Sequence, residues 1–160
     1  MDDITRRTMF LTAGPALGGL GALAAVSLAS PAAAAEQTAG EAANARLVED
    51  FCGTWSAGDF DPDAAARAYF APDAHVRVLD SQPFVVGPAA IAGAFKPFLT
   101  HGERFTVKFL SVFAKGPLVA THRIDAQVQA GQPDKPMEVV GVFLVREGRI
   151  HEWTDDLIPG

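Results

Sequence analysis

A single cysteine, Cys52, stands among 160 residues. That excludes an intramolecular disulfide and any zinc site built on several thiolates. Positive charge is also scarce, with 13 Lys and Arg against 19 Asp and Glu and a formal net charge of −6. This balance argues against a nucleic-acid binder that depends on phosphate contacts. No Gly-x-Ser-x-Gly elbow, P-loop or dinucleotide fingerprint occurs, so the motif-borne routes to acyl, phosphoryl and hydride transfer lack their signatures. The histidines, His75, His101, His122 and His151, show no metal-ligand spacing with one another. Apolar residues are plentiful, at 49% of the chain, which suits a folded core rather than disorder. The length suits one domain, and no repeat or linker divides it.

Charge is missing altogether from Thr8 to Ala35. The stretch follows Arg6-Arg7, runs through Leu17, Leu20, Leu23, Val26 and Leu28, and ends in Ala32-Ala33-Ala34-Ala35. A basic start, an apolar middle and small residues at an Ala-x-Ala site make a signal peptide over residues 1–35. A membrane anchor is the alternative, since the run is long enough to span. Its many Gly and Ala residues favour cleavage. The segment Thr5-Arg6-Arg7-Thr8-Met9-Phe10-Leu11 resembles the twin-arginine export motif, which implies export of the folded protein to the periplasm or beyond. Cleavage after Ala35 leaves Glu36–Gly160, 125 residues that carry the whole net charge. No membrane association is expected once the signal is removed.

In the remaining chain, residues 36–43 read as a polar tether and 44–160 as the domain. Asn44 is the expected N-cap of a helix carrying Leu47, Val48, Phe51, Cys52 and Trp55 at helical spacing. Asp61-Pro62 opens a short second helix, with the cap at Asp61 and Pro62 in the first turn. Phe70–Asp73 reads as its end. The period then becomes two over Ala74–Leu79 and Pro83–Val86, around a turn at Asp80-Ser81. Gly87-Pro88 starts a third helix toward Leu99, closed by His101-Gly102, in which Pro97 predicts a kink or early stop. Strands follow at Phe105–Phe113, Leu118–Gln129, Met137–Arg146 and Arg149–Leu157, the last pair joined by a tight Glu147-Gly148 turn. Helices grouped early and strands grouped late describe an α+β layer fold. A long curved antiparallel sheet wrapped on the N-terminal helices can form a cone with a pocket inside.

Asp59-Phe60-Asp61-Pro62-Asp63 imitates the start of a calcium loop, but Ala64 and Phe70 occupy the positions that require Gly and Glu. No metal site is expected. The informative set is Arg123, Asp125 and Asp155. Residues two apart on a strand share a face, so Arg123 and Asp125 point the same way. If Ala130 and Lys135 close one turn, Asp125 faces Val140; if Arg146 and Arg149 flank the next, Val140 faces Asp155. Asp125, Val140 and Asp155 then form one row across three strands, the aspartates roughly 9–10 Å apart at Cα. A surface salt bridge is the plain alternative. The apolar run Val139–Val145 and the neighbouring Trp153 favour burial instead. Two buried carboxyls sharing one arginine have their apparent pKa values pushed apart, supplying a general acid and a general base at one pH.

Thr121-His122-Arg123-Ile124-Asp125, with Gly141-Val142-Phe143-Leu144-Val145-Arg146-Glu147-Gly148-Arg149-Ile150-His151-Glu152-Trp153-Thr154-Asp155, resembles the limonene-1,2-epoxide hydrolase family. That family belongs to the nuclear transport factor 2-like, or SnoaL-like, superfamily. The resemblance implies a cone-shaped fold and one-step, cofactor-independent hydrolysis of an apolar epoxide to a diol. Asp155 would be the base that activates water, Asp125 the acid that protonates the ring oxygen, and Arg123 the bridge. It also implies a possible homodimer through the sheet. Where the family carries a water-holding Tyr and Asn, this chain has Val76 and Val78, with His75, Arg77 and Asp80 nearby. Val76, Val78, Val140 and Trp153 are the expected pocket walls. A ketosteroid-isomerase-like or SnoaL-like proton shuttle on the same aspartates is the second reading, and a non-catalytic binder of an apolar small molecule is the third.

Overall fold

Thr38, not Asn44, starts the first helix. The computed structural model describes residues 37–99, 104–129, 131 and 133–159. Within them α1 spans Ala39–Thr54. The Thr38 hydroxyl accepts from the Glu41 N–H, and Glu41 Oε2 accepts from the Thr38 N–H at 2.8 Å, a reciprocal capping box. Residues 39–43 are therefore helix rather than tether. Glu41 also binds the turn after the third strand, accepting from the Gly116 N–H at 2.9 Å and pairing with Lys115 at 3.2 Å. These donors, led by the Gly116 N–H, hold its carboxyl down at about 2. Asn44 donates to the Gly116 carbonyl at 3.0 Å instead of capping. The N-terminal signal read from residues 1–35, and His101, lie outside the described residues.

Asp61 caps α2, Pro62–Tyr69, by accepting from the Asp63 and Ala64 N–H groups. This is the role that the acidic cluster at 59–63 plays here. The first strand, β1, begins at Phe70 and runs to Arg77, four residues earlier than the sequence pattern suggests. Pro72 is tolerated because the pairing of β1 with its neighbour is irregular between Phe70 and His75, where no ladder hydrogen bond is required of it. β2 is Val85–Val86 and α3 is Pro88–Phe95. At Pro97 the chain tightens into a 3₁₀ turn, Lys96–Leu99, which is the early stop expected of that proline.

The strands β3 Arg104–Lys115, β4 Leu118–Val128, β5 Lys135–Arg146 and β6 Arg149–Leu157 make an antiparallel meander. Glu147 and Gly148 both have positive φ, as a two-residue hairpin turn of this hand demands. β1 then pairs with β6 in parallel, so the six-stranded sheet has the order β2-β1-β6-β5-β4-β3 and is mixed rather than purely antiparallel. Irregular registers in β1/β6, β3/β4 and β5/β6 mark bulges, which increase local twist and curl the sheet. Its concave face packs on α1 and α3: Val48, Phe51, Trp55, Ile91 and Phe95 meet Val76, Phe143, Ile150 and Trp153 in one core. The result is the α+β cone expected from the sequence, formed within the unit Glu36–Gly160. Among the described residues no helix is long and apolar enough to cross a membrane.

Candidate active site

Thr121, Arg123 and Asp125 alternate along β4 toward the concave face and are all buried. The register that brings them to Asp155 differs from the sequence-based row. Asp125 faces Met137, not Val140, because the β4–β5 ladder closes at Gln127 and Lys135 and leaves a longer loop. Val140 faces Asp156, not Asp155, because His151 is an extra residue on β6 between the pairs Val145–Ile150 and Leu144–Glu152. Each shift is an odd number of residues and turns one strand over; together they cancel. Asp125 and Asp155 therefore still share a face, although Val140 does not. Val139 and Gly141 take the inward positions on β5, and Val140 points to the opposite side.

Arg123 is fully buried and joins the two carboxyls. Its Nε donates to both Asp125 oxygens at 3.0 Å, its Nη1 to Thr121 Oγ1 at 2.9 Å, and its Nη2 to Asp155 Oδ2. Asp155 Oδ1 accepts from Trp153 Nε1 at 2.6 Å. The guanidinium carbon also lies 5.4 Å from the centre of the Trp55 ring, within cation–π range. Gly141 sits opposite both Thr121 and Asp155. A Cβ there would stand 2.6 Å from Asp155 Oδ1 and 2.8 Å from Thr121 Oγ1, and would collide with Arg123 Nη1. Only glycine leaves room for this bridge to close.

Burial decides the electrostatics. It pushes the Asp155 carboxyl up to about 6, against the pull of Arg123 and Trp153. Burial raises Asp125 as well, again opposed by Arg123. Burial works against the charge of Arg123 too, but Asp155 and Asp125 outweigh it and keep the guanidinium protonated. Two carboxyls against one fixed cation titrate as a unit, and a single proton shared between them makes the group neutral. Cys52 is buried on the inner side of α1, with a thiol that burial pushes well above its usual range. It is a packing residue. Among the described residues no three His, Cys, Asp or Glu side chains converge as metal ligands.

A cavity of about 100 Å³ opens above the bridge. Asp125 and Asp155 line it, with Trp55, Val78, Phe95, Val139 and Gln127 among its walls. Of the walls expected from sequence, Val78 is there, Val76 is buried in the core, and Val140 is on the other face. Trp153 lies in the core and acts on the cavity through Asp155. Trp55, Thr121 and Gly141 are the residues that pattern reading passes over. Thr121 shares the β4 face with Arg123, so period two points to it; Trp55 looks like ordinary helical core.

The profile of the SnoaL-like domain matches residues 48–153, from mid-α1 to Trp153. The chain belongs to the SnoaL-like domain family. Solved structures agree with a SnoaL-like fold. An LEH-like epoxide hydrolase of M. tuberculosis is 25% identical over 74% of this chain and 84% of its own, with a TM-score of 0.62. A protein of Jannaschia sp. CCS1, described as a SnoaL-like polyketide cyclase, is 18% identical over 76% and 90% of the two chains, with a TM-score of 0.63. A protein of Catenulispora acidiphila DSM 44928 with a ketosteroid isomerase-like fold, solved with trimethylamine, is 18% identical over 68% and 82%, with a TM-score of 0.59. No curated protein matches the sequence. The SnoaL-like superfamily thus includes enzymes, the first of these neighbours being described as an epoxide hydrolase.

Proposed function

We propose that this SnoaL-like domain is a cofactor-independent epoxide hydrolase that adds water to a compact apolar epoxide in one step. The observation that carries the reading is the pair of buried carboxyls, joined by one buried arginine, on the wall of an apolar cavity. Asp155 takes a fixed N–H on each oxygen, from Trp153 and Arg123, which supports its ionised form as the base. Among the described residues Asp125 receives only the Arg123 Nε, shared between its two oxygens, and keeps bonding capacity for a proton directed at the substrate. In the step, the water oxygen bonds to an epoxide carbon as that carbon's ring C–O bond breaks. The water proton passes to Asp155, and the Asp125 proton passes to the ring oxygen. Epoxide and water become a diol; one proton then leaves Asp155 and one rejoins Asp125.

The similarity to the M. tuberculosis LEH-like epoxide hydrolase supports this reading. Apolar side chains at Val76 on β1 and at Val78 just beyond it favour the rival, a proton shuttle that needs no water. Cavity size weighs the other way: about 100 Å³ is small against the ~300–1,000 Å³ of ordinary ligand pockets, so a steroid-sized ketone requires the walls to part. Incubation with small terpene and aryl epoxides in ¹⁸O-water is expected to give diol that carries the label in the first turnover. Isomerisation of a 5-ene-3-ketosteroid without any diol product overturns the assignment in favour of the shuttle. Export is part of the proposal, motivated by Arg6-Arg7 and the uncharged run that follows. Protein recovered outside the cytoplasm is expected to begin at Glu36 on N-terminal sequencing; an intact leader there contradicts cleavage.

A further inference from the structure

We propose that the indole N–H of Trp55 holds the attacking water against Asp155. The inference rests on the hydrolase reading and supplies the part that β1 lacks. Val76 and Val78 have no polar atom to offer a water. His75 is exposed, Arg77 pairs with Asp156 at 3.1 Å and lies against Phe84, and Asp80 is exposed. None of these three lines the cavity. Among the described residues, the polar side chains that do are Asp125, Asp155, Gln127 and Trp55.

Gln127 stands at the wrong end for water activation. It follows Asp125 by two positions on β4, whereas the residue in register with Asp155, through Gly141, is Thr121. On that face Arg123 and Asp125 stand between Thr121 and Gln127, which puts Gln127 beside the acid rather than the base. Trp55 stands at the Asp155 end. It forms the C-cap of α1, and its ring packs 5.4 Å from the Arg123 guanidinium carbon and 5.6 Å from the ring of Trp153, which itself holds Asp155. Its Nε1 is buried and has no hydrogen-bond partner among the described residues. Arg77 Nε, the other such atom found among the described residues, belongs to a side chain that is not on the cavity wall. Packing alone does not account for an orphaned donor here, because Phe51, Phe70 and Phe95 fill the surrounding ring positions without one.

An indole N–H suits this task. It donates only and does not ionise at working pH, so it cannot compete with Asp155 for the water's proton. By occupying one lone pair it orients the molecule, leaving one hydrogen for Asp155 and the second lone pair for the epoxide carbon.

The sequence has two tryptophans, so two indole N–H signals are expected in ¹H–¹⁵N spectra, and Trp55→Phe assigns one by deleting it. In the wild-type chain the assigned signal should show a cross-relaxation peak to bound water. Trp55→Phe should lower kcat for diol formation by about tenfold to a hundredfold, with KM little changed and the melting temperature close to wild type. Absence of the water peak, or wild-type kcat in Trp55→Phe, overturns the assignment. If no epoxide is turned over by the wild type, the hydrolase reading fails. The water peak then decides by itself whether Trp55 binds water in this cavity.

Discussion

Asp155→Asn is expected to cut diol formation by about 10²–10⁴-fold in kcat/KM, while leaving the protein folded. The substitution keeps the shape of the side chain, and the amide oxygen can still accept from Trp153 or Arg123. What disappears is the base. The pH profile of the wild type provides the companion measurement. Asp155 titrates near 6 in the folded chain because burial raises it, so turnover should fall as pH drops through about 6 and Asp155 gains its proton. Stability should move in the opposite sense. A carboxyl whose folded pKa exceeds its ordinary value of 3.8 stabilises the fold most below pH 4, and that contribution is lost as pH rises through 6. A shift of this size corresponds to on the order of 3 kcal/mol. Melting curves of the wild type should therefore show a decline between pH 4 and 6 that is smaller in Asp155→Asn, where Asp125 is the raised carboxyl that remains. Diol production unaffected by Asp155→Asn would sink the proposed chemistry.

Turn chemistry made the four long strands legible: Gly116, Glu147-Gly148 and the Pro-Asp segment at 133–134 punctuate runs of period two. The Asp61-Pro62 helix start and the stop at Pro97 followed from the same local logic. Long-range features did not. Nothing local states that β1 pairs in parallel with β6, or that β1 already begins in the Phe70–Asp73 segment, where Pro72 looks like a terminator. The capping box of Thr38 and Glu41 is visible in principle, but it precedes a stretch of Ala and Gly with little apolar period. The site itself was legible for an instructive reason. Arg123 and Asp125 share a face on one strand whatever their partner's register, so only Asp155 depended on the pairing. Two odd errors, one from loop length and one from the bulge at His151, offset each other there. Val140 depended on only one of them and ends up on the outer face. Trp55 was hidden because the helical period marks it as core, and only its orphaned Nε1 distinguishes it.

Arg123→Met should be the most destabilising single change at this site. Arg123 is fully buried, and its Nε, Nη1 and Nη2 serve Asp125, Thr121 and Asp155 at once. Methionine fills much of the stem but leaves two carboxyls, 5% and 3% exposed, without their cation. Breaking a buried ionic group in this way costs about 3–5 kcal/mol, which for a domain of this length lowers the melting temperature by roughly 10–20 °C. The loss should be smaller at pH 5 than at pH 8, because both carboxyls, freed of the arginine, take up protons more readily. Arg123→Lys should recover little, since an ammonium on a flexible stem cannot meet three acceptors in one plane. A charge-balanced variant, Arg123→Met with Asp125→Asn and Asp155→Asn, should regain much of the lost stability and none of the activity. That contrast separates the two roles of the bridge: an apolar or neutral interior serves folding at least as well, so the cost of burying three ionisable groups is offset by what they do to a water and an epoxide. If Arg123→Met melts like the wild type at pH 8, the carboxyls are already neutral in the folded chain, and Asp155 cannot be the base.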